Sequence, residues 1–357
     1  MTTSGSGALQ LSGGAHTVNA NATISSTAVQ LTGQFTTLAG SGDLQVPNGG
    51  LFTWVNDTQS GAGSTTIADG ATMNVTGAAN LSGRTINNNG TVVVTGSLTN
   101  SGTINNSAGK TFNFLDGGTF GQFSGGSLNN ARLVSKTGTG TSTIFGSFNN
   151  PGTVNALSGT LTVNPSFTNS GTINVAAGAQ FRAAGASFTN AGTINGDGTV
   201  MAPGSGLDNQ GSVNPGFSVG HLTISGRLEE GAAGVLNFEL ASLASFDLLT
   251  VLGHTSLGGT IAVWNAGYVP QLRDSFTVMT FTDRAGSTFA GPVSVNGFGA
   301  GVAFNVVYDV NHVKLVVAAI PEPQTWVMLL AGLGLMGVAV RRSHQAQRGH
   351  SAPTLST

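Results

Sequence analysis

The sequence predicts an all-β protein built as a β-solenoid, in which each turn of the chain forms one coil of short strands. Two observations favour this fold class. The 357 residues include 55 glycines and abundant Thr, Ser, Asn and Val, a composition typical of short strands joined by many turns. A sequence unit also recurs about every 20 residues, which is too short for paired helices and fits one solenoid coil.

The repeated unit reads as an aromatic residue or Leu, any residue, Asn, any residue, Gly, Thr or Ser, Ile or Val, and Asn. Its full copies occupy residues 98–105, 148–155, 167–174, 188–195 and 207–214. A degenerate copy at 128–133 has Arg132 at the glycine position, and from there to Gly211 the steps are 20, 19, 21 and 19 residues. Residues 86–92 also fit, but out of step, so the coils within residues 1–80 stay unassigned.

Each part of the unit has a predicted place in the coil. We expect Asn-x-Gly to be a turn in which Gly takes a positive φ and Asn binds nearby backbone. The next three residues should form a short strand with Ile or Val inward and Thr and Asn outward. The Phe or Leu four residues before the glycine should form a second inward row.

A change of composition near Pro215 predicts a second region. The repeated unit stops there, and longer alternating runs capable of antiparallel pairing appear at 221–224, 235–240, 248–251, 259–263, 275–279 and 313–317. We therefore divide the body into solenoid repeats at 1–214 and a β cap or second β region at 215–318. Such a cap would protect the end of the solenoid from edge-to-edge association.

Residues 215–224 and 246–253 resemble the end of autotransporter-type and filamentous-adhesin passenger regions. The resemblance covers about 100 residues. It implies that the body is a right-handed parallel β-helix with a structural or adhesin-like role.

The C-terminal region has three parts in a fixed order: Pro321-Glu322-Pro323, an apolar run, and the pair Arg341-Arg342. This order is similar to the PEP-CTERM tail of exported proteins from Gram-negative bacteria that make extracellular polysaccharide. The resemblance implies recognition by exosortase, a membrane-embedded cysteine protease, and cleavage near the Pro-Glu-Pro signal.

The physical properties of the tail predict where the chain lies. Residues 324–340 are 17 uncharged residues, at the lower limit for crossing the hydrocarbon core, and the arginine pair favours a cytoplasmic C-terminus. We expect a sorting tail at 319–343 that is a transient inner-membrane anchor, with cleavage releasing the body to the cell surface or extracellular matrix. Residues 344–357 are predicted to be disordered.

The N-terminus conflicts with this prediction, because residues 1–5 have neither the basic nor the apolar segment of a signal peptide. If the protein is exported, we expect an in-frame signal segment upstream of Met1. In that case the start codon has been assigned too late, or the gene is truncated.

Several classes of function lack their usual residues. The chain is 7% charged, and its basic residues are too dispersed for binding nucleic acid; examples are Arg84, Lys110, Arg132 and Arg182. The absence of cysteine excludes disulfides and thiolate metal sites. No metal-ligand spacing surrounds the histidines His221, His254 and His312. We predict no cofactor and no metal.

Parallel β-helices include polysaccharide lyases and hydrolases, whose carboxylates must converge on one sugar bond. The acids of the clear repeats do not align, since Asp197 lies five residues after Gly192 and Asp208 three before Gly211. We therefore predict no catalytic residues, and a polysaccharide-degrading enzyme ranks third among the hypotheses.

The outward polar residues of the repeats are the remaining candidate surface. They comprise Thr103, Thr153, Thr172, Thr193, Asn105, Asn155, Asn174 and Asn195. A regular array of hydroxyls and amides could bind carbohydrate or ice, or could simply satisfy the solvent-facing side. Two hypotheses lead: an exosortase-sorted structural or adhesin-like protein associated with exopolysaccharide, and a carbohydrate- or ice-binding module.

Overall fold

The computed structural model describes residues 8–19, 23–25, 27–33, 35–107, 109–121, 126–319 and 329–336. It is an all-β parallel solenoid of about 12 turns and about 21 residues per turn, with one short helix at 329–336. The predicted fold class is confirmed. Each coil passes in turn through three faces, here called the first, second and third faces.

The first face contains Leu9–Leu11, Ala28–Leu31, Leu51–Trp54, Thr72–Val75, Thr91–Val94, Thr111–Leu115, Leu133–Thr137, Thr153–Ala156, Thr172–Val175, Thr193–Gly196, Ser212–Pro215, Val235–Ser242, Ser245–Phe246, Thr260–Asn265 and Ser294–Asn296. The second face contains Ala15–Thr17, Thr37–Ala39, Thr58–Ser60, Ala78–Ser82, Ser97–Asn100, Thr119–Phe120, Thr141–Ile144, Thr160–Val163, Gln180–Ala183, Thr199–Met201, His221–Ser225, Leu248–Val251, Ser275–Thr280, Val302–Tyr308 and His312–Ala319.

The third face consists of two sheets that follow one another along the solenoid. One contains Thr23–Ser25, Asp43–Val46, Ser64–Ile67, Thr85–Asn88, Thr103–Asn106, Ser127–Asn130 and Ser147–Asn149. The other contains Phe167–Asn169, Phe188–Asn190, Leu207–Asn209, Leu228–Glu230 and Thr255–Ser256. A bridge between Asn150 and Asn169 joins the two.

The core consists of inward rows that run from coil to coil. On the first face Val154, Ile173 and Ile194 are aligned and buried, as the repeat predicts. On the third face the buried rings of Phe167 and Phe188 stack with centroids 5.0 Å apart. Both predicted inward rows are therefore confirmed, and alternation along each strand leaves Thr and Asn on the outside.

A second buried element, which the sequence did not predict, is a row of asparagines at the corner between the third and first faces. At this corner an inward asparagine of each coil donates from Nδ2 to Oδ1 of the equivalent residue in the next coil, at 2.7–2.8 Å. This buried asparagine row comprises Asn88, Asn106, Asn130, Asn150, Asn169, Asn190 and Asn209. Its amides satisfy one another where water is excluded.

The repeat glycines are required for a different reason from the one predicted. Among Gly102, Gly152, Gly171, Gly192 and Gly211 none has a positive φ, so that expectation is wrong. A Cβ at any of them would instead meet a backbone atom of the preceding coil at 2.0–2.6 Å. Glycine is needed because adjacent coils approach too closely for a side chain.

Parallel coils continue across residue 214. The runs beginning at His221, Val235, Leu248 and Thr260 all pair in parallel with strands of neighbouring coils. Antiparallel pairing joins Val235–Ser242 to Ser245–Phe246, and Ser275–Thr280 and Val302–Tyr308 to His312–Ala319. The division into domains at residue 214 stays a prediction, whereas the antiparallel strands expected of a cap are concentrated after Ser275.

Replacing Asn169 with Ala should lower the free energy of unfolding by about 2–4 kcal/mol, because it leaves the Asn150 amide and the Asn190 carbonyl without buried partners. Asn174→Ala is the matched control: this asparagine also bonds across coils but faces outward, and water can replace it at under about 1 kcal/mol. Urea unfolding measures both. Equal losses would contradict the role given to the buried row.

Gly192→Ala should prevent folding or lower the thermal midpoint strongly, since its Cβ would lie 2.0 Å from the Gly171 carbonyl oxygen. Gly204→Ala is the control, because no atom lies within 4 Å of a Cβ there and its φ is not positive. Thermal scans by circular dichroism compare the two. A Gly192 variant as stable as the Gly204 variant would refute the steric explanation.

Candidate functional site

The predicted polar residues do not form a single array. Thr153, Thr172 and Thr193 are aligned on the outside of the first face. Thr103 and Asn105, however, lie on the third face, aligned with Ser127 and Asn129. The copy at 98–105 turns the corner from the second face to the third, whereas later copies turn from the third to the first. The 30 residues from Gly102 to Arg132 are thus about one and a half coils.

The outward asparagines of the first face form a hydrogen-bonded chain. Each after the first donates from Nδ2 to Oδ1 of the asparagine in the preceding coil, at 2.6–2.8 Å. This outer asparagine row comprises Asn155, Asn174, Asn195, Asn214 and Asn237. The repeat predicted the first three as candidate ligands, but Asn237 lies beyond the last copy and was missed.

The outer asparagine row leads into a cleft of about 410 Å³, a volume within the range of small-molecule sites. The indole Nε1 of Trp264 donates to Asn237 Oδ1 at 3.2 Å, which places an exposed ring at the end of the row. The cleft is lined by Asn195, Asn214, Pro215, Gly216, Phe217, Ser218, Asn237, Glu239, Asp247 and Trp264.

Long connections between the first and second faces form this cleft. Three residues separate the strand ending at Ala156 from Thr160, whereas five separate Pro215 from His221. Gly216 has a φ of +87°, and a Cβ there would lie 2.0 Å from Ser218 O. The chain therefore turns tightly at this glycine and presents Phe217 outward.

Asp247 fixes the connection between Pro215 and His221 against the strand that contains Glu239. Its Oδ1 accepts from Gly220 N at 2.8 Å and its Oδ2 from Glu239 N at 2.7 Å. Burial raises the pKa of Asp247 to about 7, with smaller contributions in the same direction from the charges of Glu239 and Asp197, while the two amide bonds oppose the shift. Both oxygens bind main chain, so this carboxyl has a structural role.

The acids weighed from sequence remain apart. Asp208 lies on the third face beside Gln210, while Asp197 Oδ1 accepts from His221 N at 3.1 Å next to the cleft. What sequence spacing did not reveal is that Asp197 and Glu239 both come within electrostatic range of Asp247. Asp197 lies in the short connection after Gly196, Glu239 in the strand Val235–Ser242 and Asp247 between Phe246 and Leu248, so no repeat of the sequence marks them as neighbours.

The three histidines have different hydrogen-bond partners, although His312 and Thr250, the partner of His221, line a common pocket. His254 Nδ1 lies 2.6 Å from Asp283 Oδ1, and His221 Nε2 lies 2.8 Å from Thr250 Oγ1. Across the part of the chain that the structure describes, no group of three His, Asp or Glu side chains could hold a metal ion.

Among the residues that the structure describes, two basic side chains are buried. Arg84 donates to the carbonyl oxygens of Gly42 and Ser64 at 2.9 and 2.6 Å. Lys136 donates to the carbonyl oxygen of Gly138 at 2.9 Å. Burial lowers the pKa of both, although nearby carboxylates partly offset it. Neither cation is exposed for binding phosphate.

Glu230 ends the buried asparagine row. Asn209 Nδ2 donates to both of its oxygens at 3.0 Å, and the side chain is inaccessible to solvent apart from a small fraction. Burial raises the pKa of Glu230 to about 8; the Asn209 hydrogen bond lowers it and the charge of Asp208 raises it by smaller amounts.

Residues 319–343 match the PEP-CTERM protein-sorting motif. The match includes Pro321, Glu322, Pro323, Arg341 and Arg342, all of which lie outside the described residues. The motif implies an exported, exosortase-sorted surface protein. No curated protein matches the chain.

The predicted membrane anchor at 324–340 falls mostly outside the described residues, which include only the helix at 329–336. Within the described ranges, no helix has the length and apolar character needed to cross a membrane.

Replacing Glu230 with Gln should flatten the pH dependence of stability. Because its pKa rises from 4.5 in the unfolded chain to about 8 on folding, the folded state holds the proton more tightly. The free energy of unfolding therefore falls as pH rises between these values, by up to about 1.4 kcal/mol per pH unit. Below pH 4.5 the carboxyl is protonated in both states, so this pH dependence disappears.

Urea unfolding of the wild type and the Glu230→Gln variant between pH 5 and 8 measures this dependence. The control is Glu229→Gln, which changes the adjacent outward carboxylate and should leave the wild-type slope intact. Parallel curves for the wild type and Glu230→Gln would disprove the effect.

Proposed function

We propose that this protein is a structural or adhesin-like component of the bacterial surface or extracellular matrix, delivered by exosortase and associated with exopolysaccharide. The observation that carries the proposal is the PEP-CTERM motif at 319–343 behind a solenoid body. About 12 coils spaced at about 4.8 Å would make a rod roughly 55–60 Å long. Such a body suits a structural role.

The tail supports transient anchoring at the inner membrane of a Gram-negative cell. In the helix at 329–336 the side chains of Leu329, Leu330, Leu333 and Leu335 are exposed. A cluster of exposed apolar side chains favours a partner surface or a membrane that can bury it. We propose that residues 324–340 are held in the membrane until cleavage near the Pro-Glu-Pro signal.

The second candidate function is a carbohydrate- or ice-binding module that uses the aligned outward residues. It is favoured by the regular row of Thr153, Thr172 and Thr193 beside the outer asparagine row. Ice binding is the less favoured of the two, because the threonine row is short: apolar Leu133 and Val235 take the aligned positions at its two ends. Under this candidate, valine at the three threonines should abolish ligand binding and leave localisation intact.

Exosortase processing is tested in a Gram-negative host that has an exosortase and in its exosortase deletion strain. The full gene, with its natural upstream region, carries one epitope tag after Thr357 and another in the exposed loop at Gly178. We expect the host to lose the C-terminal tag and to place the body outside the inner membrane, and the deletion strain to retain both tags in the membrane fraction.

Replacing Pro321, Glu322 and Pro323 together with Ala should reproduce the deletion strain. Replacing Pro203 with Ala is the control for loss of a proline elsewhere and should be processed normally. If the tag is lost equally with and without exosortase, the proposed route is wrong.

A further inference from the structure

We propose that the cleft at the end of the outer asparagine row binds an extended neutral polysaccharide chain. This deepens the proposed function, on which it rests for the natural source of the ligand. The site itself is argued from the side chains that line the cleft.

Two exposed aromatic rings are the first part of the argument. Trp264 is 47% exposed and Phe217 is 58% exposed, although both line the same cleft. Sugars present patches of C–H groups on one face of the ring, and these pack against the face of an aromatic side chain. The hydrogen bond to Asn237 holds the indole in place before a ligand arrives, which lowers the entropy lost on binding.

The floor of the cleft supplies polar groups in a matching arrangement. Asn195 and Asn214 each use one Nδ2 hydrogen and one Oδ1 lone pair in the row, and Asn237 donates to Asn214 and accepts from Trp264. Each amide therefore retains a second hydrogen and a second lone pair. Sugar hydroxyls both donate and accept, so they can use both.

The spacing of these amides favours a chain over a single sugar. Successive coils are about 4.8 Å apart, which is close to the length of one hexose in an extended polysaccharide. A chain lying along the solenoid axis would place one sugar on each coil and end against Trp264.

The charge around the cleft selects a neutral chain. Glu239 and Asp247 line it and Asp197 lies beside it, whereas no Lys or Arg is among the lining residues. Glu239 can accept hydrogen bonds from hydroxyls, and the same carboxylate repels uronic acids. Because both oxygens of Asp247 bind backbone amides, the geometry points to binding and supplies no pair of free carboxylates for cleavage.

The test uses the purified chain and isothermal titration calorimetry. The probes are linear β-1,4-linked and β-1,3-linked hexasaccharides of glucose, a β-1,4-linked hexasaccharide of mannose, and hexagalacturonate as the acidic counterpart. We expect at least one neutral probe to bind and hexagalacturonate to bind at least tenfold more weakly. If no neutral probe binds, the proposal is overturned.

Variants locate the binding. Trp264→Ala should weaken binding of the neutral probe at least tenfold, Phe217→Ala several-fold, and Trp264→Phe less than Trp264→Ala because it keeps an aromatic face. Phe35→Ala, at an exposed aromatic residue outside the cleft, should bind as the wild type does. Thermal midpoints check that each variant is folded.

Wild-type affinity in the folded Trp264→Ala variant would overturn the site. If Thr172→Val loses binding while Trp264→Ala binds fully, the ligand binds at the threonine row, and the proposed site in the cleft is likewise overturned. Because binding is measured in solution, its failure is distinct from a failure of exosortase sorting, which the epitope-tag experiment detects.

Discussion

At the corner between the third and first faces, adjacent coils touch backbone to backbone, and the rest of the solenoid depends on this contact. A Cβ at Gly192 would lie 2.0 Å from the carbonyl oxygen of Gly171, and the same crowding recurs at Gly211. Two residues before each of these glycines, a buried asparagine bonds to its counterpart in an adjacent coil. Both features require each coil to lie directly above the last, which fixes the register of the sheets.

The fixed register has an inner and an outer consequence. Inside, it aligns like with like, so that Phe167 stacks on Phe188 and Ile173 on Ile194. Outside, it aligns Asn174 with Asn195 and continues to Asn237, one coil beyond the last repeat. The outer row is thus a by-product of the contacts that stabilise the fold, and it becomes a candidate binding surface where long connections build walls beside it.

The end of the buried row shows what happens when the pattern changes. At Glu230 a carboxyl replaces the amide and accepts from Asn209 through both oxygens. An asparagine there could accept from Asn209 and donate onward, whereas a buried carboxylate can only accept. Burial raises the pKa of Glu230, while the Asn209 hydrogen bond lowers it by a smaller amount. Glu230 thus marks the point where the ladder of amides stops while the parallel coils continue.

The sequence by itself determined the solenoid, the period, the two inward rows and the sorting motif, because each depends on local alternation or on residues adjacent in the chain. Tertiary structure decided the rest. Whether Thr103 joins Thr153 depends on which corner its copy turns, and this is set by the total length of the intervening coils. The cleft joins Asn195 and Trp264, from strands of different coils, to Phe217 in a long connection. The inward side chain of Asn169 depends on a partner about 20 residues away, since an amide can be buried only where another coil satisfies it.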